Sequence, residues 1–158
     1  MKKKLILFFA TGGGLGYAPV ASGTFGSLPG IVLAALLVFS GFGLLWQAAV
    51  CLLLTAVAIP LCSFAEGYLG KKDDGRIVAD EYLTFPICLL GVPWMDNLWF
   101  LPVCFVVVRI CDIVKPPPAR QFQELHGGTG IVLDDFFASI YALLINHGIW
   151  LIVEKYVS

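Results

Sequence analysis

Five carboxylates stand out in a chain that is otherwise mostly apolar: Asp80 and Glu81, Asp112, and the pair Asp134 and Asp135. Arg109 and Lys115 lie three residues either side of Asp112, and Arg120 follows. If the fold gathers these acids near one lipid boundary they repel one another, and leaving them unpaired there is costly, so positive charge must sit among them. Arg109 and Lys115 are spaced to pair with Asp112 along a helix. The remaining acids are better balanced by a divalent metal. Oxygen donors without cysteine or clustered histidine are hard ligands, which suit Mg²⁺ rather than zinc. Asp80, Glu81, Asp112, Asp134 and Asp135 are therefore the candidate metal ligands. Acids that hold a metal, beside bases that hold an anion, suit a phosphorylated lipid or polyprenyl substrate. The metal would polarise a phosphoryl oxygen while Arg109, Lys115 or Arg120 neutralises the transferring group.

Each of these positions also has a plain structural explanation. Asp80 with Glu81, and Asp134 with Asp135, suit a helix N-terminus, where negative charge is favoured. Arg109 and Lys115 could be interface residues that snorkel toward water. Arg120 could simply be solvated in a loop. His126, beside Gly127 and Gly128, is a candidate general acid or base, although a lone loop histidine is more often neither. His147 is expected to be a hydrogen-bonded core residue.

The elements that must position these groups follow from composition. Of 158 residues, 59% are hydrophobic and 13% charged, and the mean hydropathy is +0.89. That is well outside the range of soluble domains. The excess must be solvated by lipid, so a single membrane-embedded domain over residues 1–158 is expected, all-α, as a polytopic helical bundle. The net charge of −1 with no long basic run excludes the broad footprint of a nucleic-acid binder. Cys51, Cys62, Cys88, Cys104 and Cys111 lie in apolar stretches without a CxxC, which argues for small buried hydrophobes rather than disulfides or zinc. After Lys2 to Lys4 the apolar run Leu5 to Ala10 is too short for a signal peptide, so no cleavage is expected. Nothing in the sequence fixes an oligomeric state.

Residues 11–30 are rich in glycine, with two prolines and scattered hydroxyls. They do not form the G-x-x-x-x-G-K-[ST] phosphate loop, since no lysine follows. Two readings stand side by side. Glycines allow a loop that turns N–H groups toward an anion, helped by Ser22, Thr24 and Ser27, or one that lets neighbouring helices pack closely. Ile31 to Trp46 and Gln47 to Ala65 read as a membrane hairpin. The polar segment Glu66 to Glu81 follows. Tyr82 to Trp94, interrupted by Pro86, Gly91 and Pro93, reads as short, tilted, broken or re-entrant. Leu98 to Val114 is the next segment, stopped by Pro116, Pro117 and Pro118. A turn at Gly127 to Gly130 leads to the last segment, Phe136 to Val153, with Asp134 and Asp135 at its start. About four to five membrane segments result. The positive-inside rule then places Lys2 to Lys4, Lys71, Lys72, Arg76, Lys115 and Arg120 in the cytoplasm, with all the polar stretches on that face.

Three blocks, LGYAPVASGTFGSLPG, GRIVADE and RICDIVKPPPARQFQELHGGTGIVLDDFFA, resemble in order the signature blocks of the phosphatidylglycerophosphatase A family. The resemblance spans about Thr11 to Ala142. It implies a Mg²⁺-dependent phosphatase of the bacterial inner membrane, with its active site facing the cytoplasm and phosphatidylglycerophosphate as substrate. Position by position, the shared acids fall on Asp80, Glu81, Asp112, Asp134 and Asp135 and the shared bases on Arg109, Lys115 and Arg120. Pro19, Gly23, Thr24, Gly26 and Ser27 match the N-terminal block. Asp80, Asp134, Asp135 and Arg109 are the candidate catalytic residues, and Thr24, Ser27, Lys115, Arg120 and His126 the candidate substrate-binding ones. Thr84, Phe85 and Pro86, and Pro117 in the triple proline, depart from the family pattern.

Two rival functions predict other patterns. A non-catalytic lipid-binding or transport protein predicts acids spread through the membrane depth, whereas these fall at segment ends. A CDP-alcohol phosphotransferase uses a D-G-x-x-A-R motif, and the nearest text here is Asp74-Gly75-Arg76.

Overall fold

In the computed structural model, which describes residues 1–157, every regular element is helical. Seven α-helices follow in order: α1 Lys2–Ala10, α2 Ser22–Phe39, α3 Leu44–Leu69, α4 Ala79–Thr84, α5 Leu101–Val114, α6 Ala119–Phe122 and α7 Gly128–Val157. Short 3-10 turns occupy Gly12–Tyr17, Phe85–Leu89 and Leu98–Phe100.

The glycine-rich stretch is not one loop. Its second half is the beginning of α2, which starts at Ser22, well before the expected Ile31. Gly23, Gly26 and Gly30 share one face of that helix, and each is a point of close approach. A Cβ on Gly26 would lie 2.4 Å from Val78 Cβ, and one on Gly30 would lie 2.4 Å from Phe85 Cβ. Glycine is a poor helix former in water. Where helix packing must bring backbones together, the missing side chain is what permits it. Gly23, Gly26 and Gly30 thus serve close packing.

Gly70, in the left-handed region at φ 71°, ends α3. Pro86 then breaks α4 into the 3-10 turn Phe85–Leu89, so Tyr82 to Trp94 is a broken helix. Its side chains are among the most buried in the molecule, Phe85 and Cys88 included. Helix α5 ends at Val114, just ahead of the triple proline, with Lys115 at φ 47°. The last helix begins at Gly128, not Phe136, because the GGTG stretch supplies one turning residue, Gly127 at φ 69°, and then enters the helix. Asp134 and Asp135 consequently lie in its second turn rather than at its mouth.

Among the described residues, three helices are long and apolar enough to cross a membrane: Ser22–Phe39, Leu44–Leu69 and Gly128–Tyr156. At ~1.5 Å per residue the 14 residues of α5 span only about 21 Å, short of a ~30 Å hydrocarbon core. Exposed Leu36, Leu45, Leu52, Leu53, Leu144 and Leu151 give the bundle an apolar outer surface.

Two buried clusters hold the bundle together. Phe85, Trp94, Phe100, Cys104, Val108 and Ala142 form one, and Ala58, Cys62, Val78, Leu83, Ile131 and Val132 belong to the other. All five cysteines are free and buried in these interiors. Two polar side chains inside reach backbone carbonyls: Asn146 Nδ2 donates to the Cys88 carbonyl at 2.9 Å, leaving its Oδ1 buried without a partner, and His147 Nδ1 lies 3.0 Å from the Leu143 carbonyl. The bundle has two distinct ends. One gathers the start of α2, the end of α3, the start of α4, the end of α5 and the start of α7. At the other, Gly91 lies near Leu44 and His147.

Candidate active site

The polar end is organised from a tight turn upward. Asp74 is buried and accepts hydrogen bonds from Arg76 at three nitrogens: the backbone N–H at 3.1 Å, Nε at 2.8 Å and Nη2 at 2.7 Å. Those bonds hold the Asp74 carboxyl at about 2, well below the usual range. The turn delivers Val78, whose N–H donates to the Ala10 carbonyl at 2.8 Å, and then α4, with Asp80 and Glu81 in its first turn.

Arg109 is the hub around which the acids are arranged. Its Nη2 lies 3.1 Å from Asp112 Oδ2, one turn along α5, while Nη1 lies 3.5 Å from Glu81 Oε1 on α4. Nη1 also donates to Ser27 Oγ on α2 at 3.3 Å. Ser27 Oγ in turn lies 2.8 Å from the Gly23 carbonyl and 3.3 Å from Glu81 Oε2. Lys115 pairs with Asp134 on α7, not with Asp112 as its spacing suggested. The left-handed backbone at Lys115 takes the chain off the helix, so the side chain no longer follows helical spacing.

Among the described residues, Asp80 and Asp135 have no cation paired with them. Asp80 is 8% exposed and Asp135 7%, and Asp80 Oδ1 has no hydrogen-bond partner. Burial pushes the Asp80 carboxyl well above its usual range, and the charges of Glu81 and Asp134 add to the effect. Burial likewise raises Glu81, to about 7, against the pull of Arg109. A cavity of about 10 Å³, room for one water, lies between Ser27, Glu81, Arg109, Asp112, Asp135 and Ser139.

The sequence matches the phosphatidylglycerophosphatase A family over residues 8–150. The chain belongs to that family. It is 37% identical over 134 residues to the phosphatidylglycerophosphatase A of Escherichia coli, covering 83% of this chain and 75% of that one. With the Haemophilus influenzae phosphatidylglycerophosphatase A it shares 38% identity over 144 residues, 89% and 85% of the two chains. A Bacteroides thetaiotaomicron protein named as a putative phosphatidylinositol-3-phosphatase is 37% identical over 145 residues, 89% and 91%. No solved structure matches significantly.

In this phosphatidylglycerophosphatase A family member the structure brings together Ser27, Asp80, Glu81, Arg109, Asp112, Lys115, Asp134 and Asp135. The three other expected residues are Thr24, Arg120 and His126. Thr24 is half-buried on α2 beside Gly23, and Arg120 is exposed on α6. His126 is exposed and lines a separate hollow of about 320 Å³ with Glu66, Lys71 and Lys72. Sequence reading passed over Asp74 and Arg76 as structural residues, although an acid two residues before an arginine across a glycine is a turn signal. Ser139, one turn beyond Asp135, gave no signal at all.

Among the described residues, no group of three His, Cys, Asp or Glu side chains is arranged to hold a metal ion as it stands. The donor chemistry nonetheless fits a hard cation. Five carboxylates face two cations, the buried Asp80 Oδ1 is orphaned, and a small cavity borders three of the acids, Glu81, Asp112 and Asp135. Charge deficits of this kind are what a divalent ion satisfies.

Proposed function

We propose that this phosphoric monoester hydrolase is embedded in the bacterial inner membrane and removes the terminal phosphate of phosphatidylglycerophosphate, giving phosphatidylglycerol. The observation that carries the reading is the convergence of Asp80, Glu81, Asp112, Asp134 and Asp135 with Arg109 and Lys115 at one end of a bundle of apolar helices. Membership of the phosphatidylglycerophosphatase A family, and the names of the Escherichia coli and Haemophilus influenzae relatives, support the substrate.

The bundle would be multi-pass, crossing the bilayer with α2, α3 and α7. Its active face would be cytoplasmic. Lys2 to Lys4, Lys71, Lys72, Arg76, Lys115 and Arg120 all belong to the polar end, and that asymmetry is the positive-inside signature. Mg²⁺ held by oxygens of Asp80, Glu81, Asp112, Asp134 and Asp135 would supply Lewis-acid stabilisation of the phosphoryl group. Arg109 and Lys115 place positive charge where the phosphate must bind, in a site with little water to screen it. Asp80, with an oxygen free of other bonds, is the carboxylate available to act at phosphorus. Ser27 steadies Arg109 and Glu81 together.

The test is release of inorganic phosphate by the detergent-purified protein from phosphatidylglycerophosphate and from phosphatidylinositol 3-phosphate. Preference for the first supports the reading. Preference for the second would move the substrate toward the name carried by the Bacteroides relative. Release from neither would overturn the phosphatase reading.

A further inference from the structure

Ser139 carries a hydroxyl for which the chain supplies no acceptor. It lies on α7 one turn beyond Asp135 and is 2% exposed. Ser27, Thr55 and Thr84, buried in α2, α3 and α4, each reach the carbonyl four residues back, at 2.8, 2.9 and 2.7 Å. That back-bond is the usual refuge of a hydroxyl inside a helix. Ser139 does not take it, and among the described residues its hydroxyl makes no hydrogen bond. An O–H buried in this way is costly, and where one persists a function is the first explanation to test.

The surroundings say what the hydroxyl is for. Ser139 lines the cavity of about 10 Å³, together with Arg109 and the acids Glu81, Asp112 and Asp135. Its hydroxyl bonds to none of those carboxylates. Arg109 holds a second unused donor: Nη1 and Nη2 are engaged by Ser27, Glu81 and Asp112, whereas Nε is buried without a partner. Two donors without an acceptor thus belong to residues that border a space the size of one water. What complements them is an oxygen atom. Phe85, Val108 and Ala138 supply apolar wall to the same cavity, and in so dry a setting a single well-placed donor counts for more than it would in water.

We propose that Ser139 is a further catalytic residue, its O–H donating a hydrogen bond to the oxygen that enters this cavity during the reaction. That oxygen belongs either to the phosphoryl group or to a water beside it, and both accept the same bond. The proposal rests on the phosphatase reading and adds a neutral donor to a site otherwise described by its charges. The need for one follows from the lining. Glu81, Asp112 and Asp135 are acceptors that repel an incoming anionic oxygen, so the donors of Arg109 and Ser139 decide where such an oxygen can rest. Ser139 also moves with the acids, since it stands four residues after Asp135 and shares its face of α7.

The experiment compares Ser139→Ala with Ser139→Gly. Alanine removes the donor and adds no room, so phosphate release from phosphatidylglycerophosphate should fall about 10- to 100-fold. Glycine removes the whole side chain and leaves space for a water, which can donate in its place. That variant should stay within about threefold of the wild type. A packing role predicts the reverse, because glycine is the poorer helix residue. Thermal unfolding should accordingly rank Ser139→Gly below Ser139→Ala while activity ranks it above. Thr55→Ala, which removes a buried hydroxyl already bonded to the Cys51 carbonyl, should leave the rate unchanged. Full activity in Ser139→Ala, or lower activity in Ser139→Gly than in Ser139→Ala, would overturn the proposal.

Titration of inorganic phosphate onto the wild type and Ser139→Ala, followed by phosphorus NMR with Mg²⁺ present, separates the two sources of the oxygen. A Kd raised about tenfold in the variant assigns the bond to a phosphoryl oxygen. An unchanged Kd with a reduced kcat assigns it to water. If neither Kd nor kcat moves, Ser139 has no part in the reaction. A wild type that releases no phosphate would overturn the phosphatase reading, and the titration would then still decide whether Ser139 binds the anion.

Discussion

Arg109 Nη1 donates to Ser27 Oγ at 3.3 Å, joining the end of α5 to the beginning of α2, and the same nitrogen lies 3.5 Å from Glu81 Oε1. One planar group thereby fixes two acids and a hydroxyl that come from three helices.

Arg109→Lys keeps the charge but loses the fork that reaches Ser27, Glu81 and Asp112 at once. Phosphate release should fall roughly 100-fold, comparable to removal of a positioned donor, while the protein still folds. Steady-state kinetics with a thermal unfolding control checks this. Full activity in the lysine variant would mean that charge alone suffices.

The Lys115–Asp134 pair is testable through its asymmetry. Lys115→Met leaves a carboxylate that is 4% exposed without its cation and should cost about 2 kcal/mol, less than the ~3–5 of a fully buried pair because Lys115 is 22% exposed. Removing the charge from both, in Lys115→Met with Asp134→Asn, should recover most of that loss. Thermal unfolding of the two single variants and the double variant measures the coupling.

Much of this was legible in the charged residues themselves. In so apolar a chain each ionised group needs a partner, and the acids and Arg109 do meet at one end of the bundle. Helix boundaries were harder to read. The glycines of α2 resembled a loop because glycine propensity is measured in water, whereas here Gly26 and Gly30 are set by what packs against them, Val78 and Phe85. Asp134 and Asp135 were placed too near a helix mouth because GGTG signals a turn, and only Gly127 makes one. Lys115 changed partner through a single left-handed residue, which spacing along a helix cannot foresee. Asp74 was missed because its role is visible only when Arg76 folds back onto it.

Helix-facing glycines should show a graded response. A Cβ at Gly26 would meet Val78 Cβ at 2.4 Å and Glu81 Oε2 at 2.9 Å. Gly26→Ala should therefore destabilise by about 1–3 kcal/mol, as overpacking does, and should reduce activity. Gly67→Ala, on α3 with nothing within 4 Å of the added carbon, should be neutral or up to about 1 kcal/mol more stable. Paired melting curves separate packing from propensity.

Asp74 gives a pH dependence of known sign. Its carboxyl is at about 2 in the fold against an ordinary 3.8, so the stabilisation it contributes is present above 3.8 and is lost as pH falls toward 2. The melting temperature of Asp74→Asn should lie below that of the wild type by a constant amount above about pH 5, and the gap should narrow below pH 4. A gap independent of pH would show that the carboxylate charge plays no part.

The most direct test of the acidic cluster is phosphate release from phosphatidylglycerophosphate with Mg²⁺, after chelation, and in Asp80→Asn and Asp135→Asn. These two acids have no cation in the fold, so their neutral isosteres should keep the structure intact. Activity should vanish on chelation, return with added Mg²⁺, and fall at least 100-fold in both variants. Undiminished hydrolysis in Asp80→Asn, or full activity in the chelated wild-type enzyme, would contradict the account.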